Sequence, residues 1–104
     1  MSKAPAFQFY PGDWLREPGL QASSCAVRGA WINLLCRMWD APRRGVLTGT
    51  DDQIRRMAGA ETAEWGCIKA ELTLHQIANV TNCNGRVTVL CRRMARDEKA
   101  RRDN

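Results

Sequence analysis

Metal-binding and catalytic motifs are almost missing from this chain. It holds one histidine, His75, and none of its five cysteines stands at Cys-x-x-Cys spacing. Structural zinc sites are built from clustered Cys or His pairs, so we expect no bound metal and interpret the cysteines as reduced, small apolar side chains. The chain also lacks a Gly-rich phosphate loop and a serine or cysteine nucleophile motif near His75. These absences predict a protein that is not an enzyme and needs no cofactor.

Long apolar runs are missing too. No stretch approaches the roughly 20 apolar residues of a membrane helix, and Met1-Ser2-Lys3-Ala4-Pro5 has no apolar segment behind its charge. We therefore expect a cytoplasmic protein without a membrane partner. What the chain does have is 104 residues, 44% of them hydrophobic, which is enough for one domain with a modest core. Its net charge of +5 favours a polyanionic partner.

The first helical pattern lies in the first half of the chain. Ser23 or Ser24 is suited to cap it, and Pro42 and Gly45 stop it. Its apolar residues recur at helical spacing: Val27, Trp31, Leu34, Leu35 and Met38. The segment 45–49, between two glycines, predicts a short strand.

Two more helices are predicted after that strand. Thr50-Asp51-Asp52-Gln53 is a capping-box pattern that opens the second helix, which ends at Gly59. The third helix is predicted from about residue 62 to 76. Its apolar stripe contains four residues: Trp65, Ile68, Leu72 and Leu74.

The pattern changes to a period of two between residues 77 and 91. Two β-rich runs, 77–82 and 86–91, flank Asn84-Gly85. Both residues of that dipeptide tolerate a positive φ, so the pattern predicts an antiparallel hairpin. Residues 94–104 form a charged tail, interpreted as helical or frayed.

The first 22 residues contain three of the four prolines and predict an extended arm with a turn at Pro11-Gly12-Asp13. Five large apolar side chains lie in this arm: Phe7, Phe9, Tyr10, Trp14 and Leu15. The favoured interpretation is that they hold the arm against the first helix by burial. The alternative is that the aromatic rings stack on single-stranded bases, with Arg16 nearby.

The order of elements is helix, strand, helix, helix, strand, turn, strand. It predicts a mainly α protein with a small β-hairpin, an α+β fold of the winged helix-turn-helix type. The expected organisation is an N-terminal aromatic arm over residues 1–22, the winged-helix domain over 23–93 and the tail over 94–104.

The chain opens with the segment Pro5-Ala6-Phe7-Gln8-Phe9-Tyr10-Pro11-Gly12-Asp13-Trp14-Leu15. It is the most specific of several segments that resemble the YdaU-like family of phage and prophage proteins. Three further segments are similar: the first helix with its end at Leu34-Leu35 and Trp39, the step Gly45-Val46-Leu47, and Cys91-Arg92-Arg93-Met94. The resemblance implies a replication-initiation-like protein in a bacterial host cell, and it supplies no catalytic residue. Family members usually continue beyond the equivalent of Asn104, so the resemblance implies either a short member or part of a longer protein.

Charge placement decides where DNA would be contacted. The third helix carries Glu61, Glu64 and Glu71 but only one base, Lys69. Its net negative charge would repel DNA phosphates. The sequence instead predicts phosphate contacts from the hairpin tip, the tail and the second helix. The candidate residues are six arginines: Arg55, Arg56, Arg86, Arg92, Arg93 and Arg96. Two interpretations stay open, a module that contacts double-stranded DNA and a module that binds replication or regulatory proteins without DNA.

Overall fold

The computed structural model of the chain describes Ala6 and residues 8–103. Its elements, in chain order, are α1 (Pro11–Arg16), α2 (Pro18–Ala22), α3 (Cys25–Trp39), β1 (Val46–Thr50), α4 (Asp51–Ala58), α5 (Thr62–Leu74), β2 (Asn79–Cys83), β3 (Arg86–Leu90) and α6 (Arg92–Asp103). The described part of the chain is therefore a mixed α and β fold with six helices and one three-stranded antiparallel sheet. The predicted mixture of helices with a small sheet is confirmed.

The three predicted helices form, and the first two of them begin at the predicted capping residues. The Ser24 hydroxyl accepts a hydrogen bond from the backbone N–H of Val27 and caps α3. Thr50 and Gln53 make the reciprocal bonds of a capping box at the start of α4. Gly59 ends α4 in the left-handed conformation that suits glycine. These boundaries confirm the sequence prediction.

The hairpin predicted at Asn84-Gly85 is also confirmed. Asn84 has φ 51° and Gly85 φ 78°, and β2 pairs with β3 from Asn79 opposite Leu90 to Cys83 opposite Arg86. The strand β1 pairs with the other edge of β3, so the sheet order is β1-β3-β2. The central strand thus joins the hairpin to a strand that lies far earlier in the sequence.

The core lies between the sheet and the faces of α3, α4 and α5. Its largest side chains without exposed surface come from all of these elements: Leu34, Met38, Ile54, Leu72, Val27, Val87 and Val89. Trp65 and Ile68 of the predicted stripe are buried as well, but Leu74 is 74% exposed because α5 ends there. The assignment of Leu74 to the inner stripe is wrong.

The prediction of an extended arm is wrong for residues 11–22, which form α1 and α2. Pro11 and Pro18 each occupy the first turn of a helix, where the missing N–H of proline leaves no hydrogen bond unmade. The short helix α2 is attached to α3 through Arg28, whose guanidinium donates to the backbone carbonyls of Leu20 and Gln21. Phe7 lies outside the described residues.

The predicted tail is a helix that packs on the domain. α6 begins at Arg92, and the backbone N–H of Cys91 donates to the carbonyl of Gly45. The guanidinium of Arg44 lies 3.2 Å from the Glu98 carboxylate and 3.9 Å from the ring centre of Trp39. Both charged side chains of this pair are largely buried, so α6 has a fixed position on the end of α3 and β1.

Candidate nucleic-acid interface

The central strand β3 separates the candidate arginines into two groups. Arg86 starts the strand, and Arg92 follows six positions later at the start of α6, which corresponds to about 20 Å of extended chain. Thr50, the residue before α4, pairs with Arg86, so the helix that carries Arg55 and Arg56 begins at the Arg86 end. Arg92, Arg93 and Arg96 lie together on α6. The structure thus brings the α6 arginines together and leaves Arg86 at the opposite end of β3.

The two arginines of α4 are engaged within their own helix. Arg55 donates to Asp52 and to the backbone carbonyl of Ala60, and its side chain is only 19% exposed. Arg56 pairs with the other oxygen of Asp52 at 2.9 Å. The hydrogen bond from Arg55 holds the pKa of Asp52 below its ordinary value. Arg55 therefore joins α4 to the turn before α5, and a phosphate would compete with Asp52 for Arg56.

The arginines of α6 differ in how they are held. Arg92 donates to the Asn79 side chain and to the backbone carbonyl of Gln76, both at 2.6 Å, so neutral acceptors fix it and its charge is retained. Arg93 lies 3.5 Å from Asp13 of α1. Arg96 is exposed and makes no ion pair with any described residue.

Sequence reasoning missed one residue of this group, Lys99. Arg92, Arg96 and Lys99 follow each other at spacings of four and three, which puts them on one face of α6. All three are exposed, and none pairs with a carboxylate among the described residues. We call these three residues the basic face. Helical periodicity applied to residues 92–99 would have identified it, because these three positions recur at helical spacing.

The one base of α5 is neutralised by a contact from α4. Lys69 lies 2.6 Å from Asp51, and the indole N–H of Trp65 donates to the same carboxylate oxygen at 3.0 Å. The hydrogen bond from Lys69 is the main reason that the pKa of Asp51 is lowered. The outward side of α5 therefore presents no unpaired positive charge.

Replacing Asp51 with asparagine is expected to make the protein less sensitive to acid. The folded-state pKa of Asp51 lies below its ordinary value of 3.8, so the carboxylate stabilises the fold above that pH. This stabilisation is lost as the pH falls through the folded-state pKa. Melting temperatures measured between about pH 5 and pH 2 should fall less steeply for Asp51→Asn than for the unchanged protein.

The control for that measurement is Asp97→Asn, because Asp97 is exposed and makes no ion pair with a described residue. It should leave the slope unchanged. Equal slopes for Asp51→Asn and the unchanged protein would mean that the contact with Lys69 does not form in solution.

The cysteines do not assemble a metal site among the described residues, where no three His, Cys, Asp or Glu side chains could hold an ion. Cys25, Cys36, Cys67 and Cys83 are free thiols on the surface, although free cysteine is among the most often buried residue types. Cys91 is partly covered, and burial raises the pKa of its thiol. In the described part of the chain, every helix falls short of the length and apolar character that crossing a bilayer requires.

Comparison with known proteins gives no assignment. The chain matches no protein-family model, no curated protein and no solved structure. The resemblance to the YdaU-like proteins therefore stays a prediction, and functional inference depends on the residues themselves.

Proposed function

We propose that the chain is a winged-helix module that contacts the phosphates of double-stranded DNA through α6. The order α3-β1-α4-α5-β2-β3 and the sheet order β1-β3-β2 support this fold type. In it, α4 and α5 correspond to the helix-turn-helix and the β2–β3 hairpin to the wing. The sequence resemblance favours a role in phage replication initiation or in regulation.

The observation that carries the proposal is the basic face. Three cations that no described carboxylate neutralises lie along one side of a helix whose position is fixed by Arg44 and Glu98. Cations in such a row release counterions when they approach successive phosphates, and this release drives sequence-tolerant binding. Arg86 at the hairpin tip offers a separate contact at the opposite end of β3, since it is exposed and makes no ion pair with a described residue.

In most helix-turn-helix proteins the second helix of the motif contacts the edges of the bases. The corresponding helix of this chain, α5, does not suit that role. Lys69 is the only lysine or arginine of α5, and it is held by Asp51. Glu64 and Glu71 add negative charge to the same helix. We therefore expect weak binding without base readout.

The test is a titration of a fluorescent 20-base-pair duplex at several salt concentrations, followed by anisotropy. Replacing both Arg96 and Lys99 with alanine should weaken binding and flatten the plot of log K against log salt by up to about two units, near one for each lost phosphate contact. Both side chains are exposed and make no side-chain hydrogen bond with a described residue, so the fold should survive.

The matched control is Arg37→Ala, which removes an exposed arginine of α3 that has no carboxylate partner among the described residues. Compared with the single variant Arg96→Ala, it makes the same change in net charge and should leave the slope within about 0.3 units of the unchanged protein. Equal slopes for Arg37→Ala and Arg96→Ala would mean that the duplex is attracted only by the net charge, and would contradict a specific role of the basic face. Loss of binding in Lys69→Ala alone would favour base readout by α5 and contradict it.

A protein-binding module is the second candidate, and the outward side of α5 favours it. That side is built from small or apolar exposed residues: Ala63, Gly66, Cys67, Ala70 and Leu74. A surface of this kind suits close approach of another protein more than a phosphate backbone. Duplex binding that is absent at every salt concentration would leave this candidate standing.

A further inference from the structure

A groove of about 590 Å³ lies between the N-terminal segment and α6. This is the size of cavities that hold small molecules or single nucleotide units. One wall carries Phe9, Tyr10 and Trp14, and the other carries Arg92 and Arg96. Aromatic rings and arginines thus face one shared space.

The aromatic wall is not covered by the rest of the described chain. Phe9 is 45% exposed and Tyr10 51% exposed. The interpretation that the whole aromatic set of the arm is buried is therefore wrong for these two residues. The ring of Phe9 lies 5.6 Å from the ring of Trp14, and the two planes are tilted by 52°. The accessible rings offer flat apolar faces at the mouth of the groove.

The charges of the groove are mixed, which limits what it can hold. Three carboxylates line it, those of Asp13, Glu17 and Asp97. Asp13 contacts Arg93 at 3.5 Å, whereas Arg92 and Arg96 keep positive charges that no described carboxylate pairs. A polyanion would gain little from counterion release here, but one phosphate beside Arg96 would be favourable.

We propose that this groove binds an unpaired nucleotide of a single-stranded nucleic acid. The base stacks on the rings of Phe9 and Tyr10, and its phosphate contacts Arg96. Stacking on aromatic side chains accepts any base because every base has a π-face. This inference extends the proposed function from the duplex to the unpaired strand, and the two sites have Arg92 and Arg96 in common.

The experiment compares three ligands by fluorescence anisotropy: a 12-nucleotide thymidine strand, a 12-nucleotide abasic strand with the same phosphates, and a blunt 20-base-pair duplex. The thymidine strand should bind at least about ten times more tightly than the abasic strand, because only the bases stack. Its binding should depend on salt less than that of the duplex, because the groove is nearly balanced in charge. A 12-nucleotide uridine strand tests RNA as a second source of an unpaired base, and affinity equal to that of the thymidine strand would show that the groove accepts both.

The decisive variant is Phe9→Ala with Tyr10→Ala. It should weaken binding of the thymidine strand by about tenfold or more and leave duplex binding within about twofold. The conservative pair Phe9→Tyr with Tyr10→Phe keeps both rings and should restore binding. Leu15→Ala is the control, since Leu15 is 65% exposed beside the groove without lining it. Melting curves of all variants should coincide with that of the unchanged protein.

The outcomes separate this proposal from the duplex proposal. Equal affinity for the thymidine and abasic strands would overturn the groove assignment, and so would a ring-deleted variant that binds like Leu15→Ala. Neither result affects the duplex titration with Arg96→Ala and Lys99→Ala. Conversely, base-dependent binding of the single strand with no duplex binding would support the groove and reject the duplex proposal.

Discussion

Replacing Trp65 with alanine is expected to lower the free energy of unfolding by about 3 to 5 kcal/mol, the range for truncating a buried aromatic side chain. Trp65 is 3% exposed in the core, and its indole N–H donates to Asp51 at 3.0 Å. A domain of this size has a total stability of roughly 5 to 15 kcal/mol, so the variant would lose a large share of it. Urea unfolding followed by circular dichroism measures the change.

Two further variants on the same helix separate the causes. Trp65→Phe keeps most of the apolar volume but loses the bond to Asp51, so we expect a smaller loss of about 1 to 2 kcal/mol. Cys67→Ala changes an exposed position and should stay within about 0.5 kcal/mol of the unchanged protein. A loss for Trp65→Ala no greater than that for Cys67→Ala would contradict the burial of Trp65 in the core.

The second large effect is expected for Gly45→Ala. Gly45 has φ +91°, and a Cβ built there would lie 2.7 Å from the backbone nitrogen of Ala95 in α6. The left-handed conformation costs about 1 to 2 kcal/mol for a residue with a Cβ. The clash with backbone adds about 1 to 3 kcal/mol or moves α6 away from the domain. Thermal unfolding should show the lower stability, and duplex binding should weaken because the basic face is displaced.

The matched control for this prediction is Gly85→Ala. Gly85 has φ +78° at the hairpin turn, and a Cβ there meets nothing within 4 Å. It should therefore lose only the conformational part, about 1 to 2 kcal/mol, and bind DNA as before. If the two alanine variants were equally stable, close packing of α6 on Gly45 would be refuted.

The elements that local pattern determines could be predicted from the sequence. The helices α3, α4 and α5 follow from capping residues and helical periodicity, and the hairpin follows from Asn84-Gly85. The helices α1 and α2 were missed because a Pro-Gly pair is typical of turns. The same Pro-Gly pair begins each of these helices, since proline is also favoured at a first helical turn.

The candidate site was predictable only in part. The charge of each side chain is known from the sequence, but the ion pairs that these side chains form depend on the fold. The excess of basic residues near the end of the chain could be counted directly. The partners that neutralise or fix a base lie far away in sequence: Asp51 is 18 positions from Lys69, and Arg44 is 54 positions from Glu98. Neither helical nor strand periodicity in the sequence indicates contacts between residues so far apart. The groove is a similar case, since it forms where opposite ends of the chain meet.

The position of β1 in the sheet has a consequence for how the protein folds during its synthesis. Thr48 of β1 lies opposite Thr88 of β3, 40 positions later. During synthesis β1 therefore leaves the ribosome well before β3, the strand with which it pairs. The strands β2 and β3 are neighbours in sequence, and a hairpin of this kind forms within microseconds. Contacts between residues so far apart slow the folding of a small domain. Lengthening the connection between β1 and β3 should slow refolding, whereas the equilibrium cost of a longer loop grows only slowly with its length.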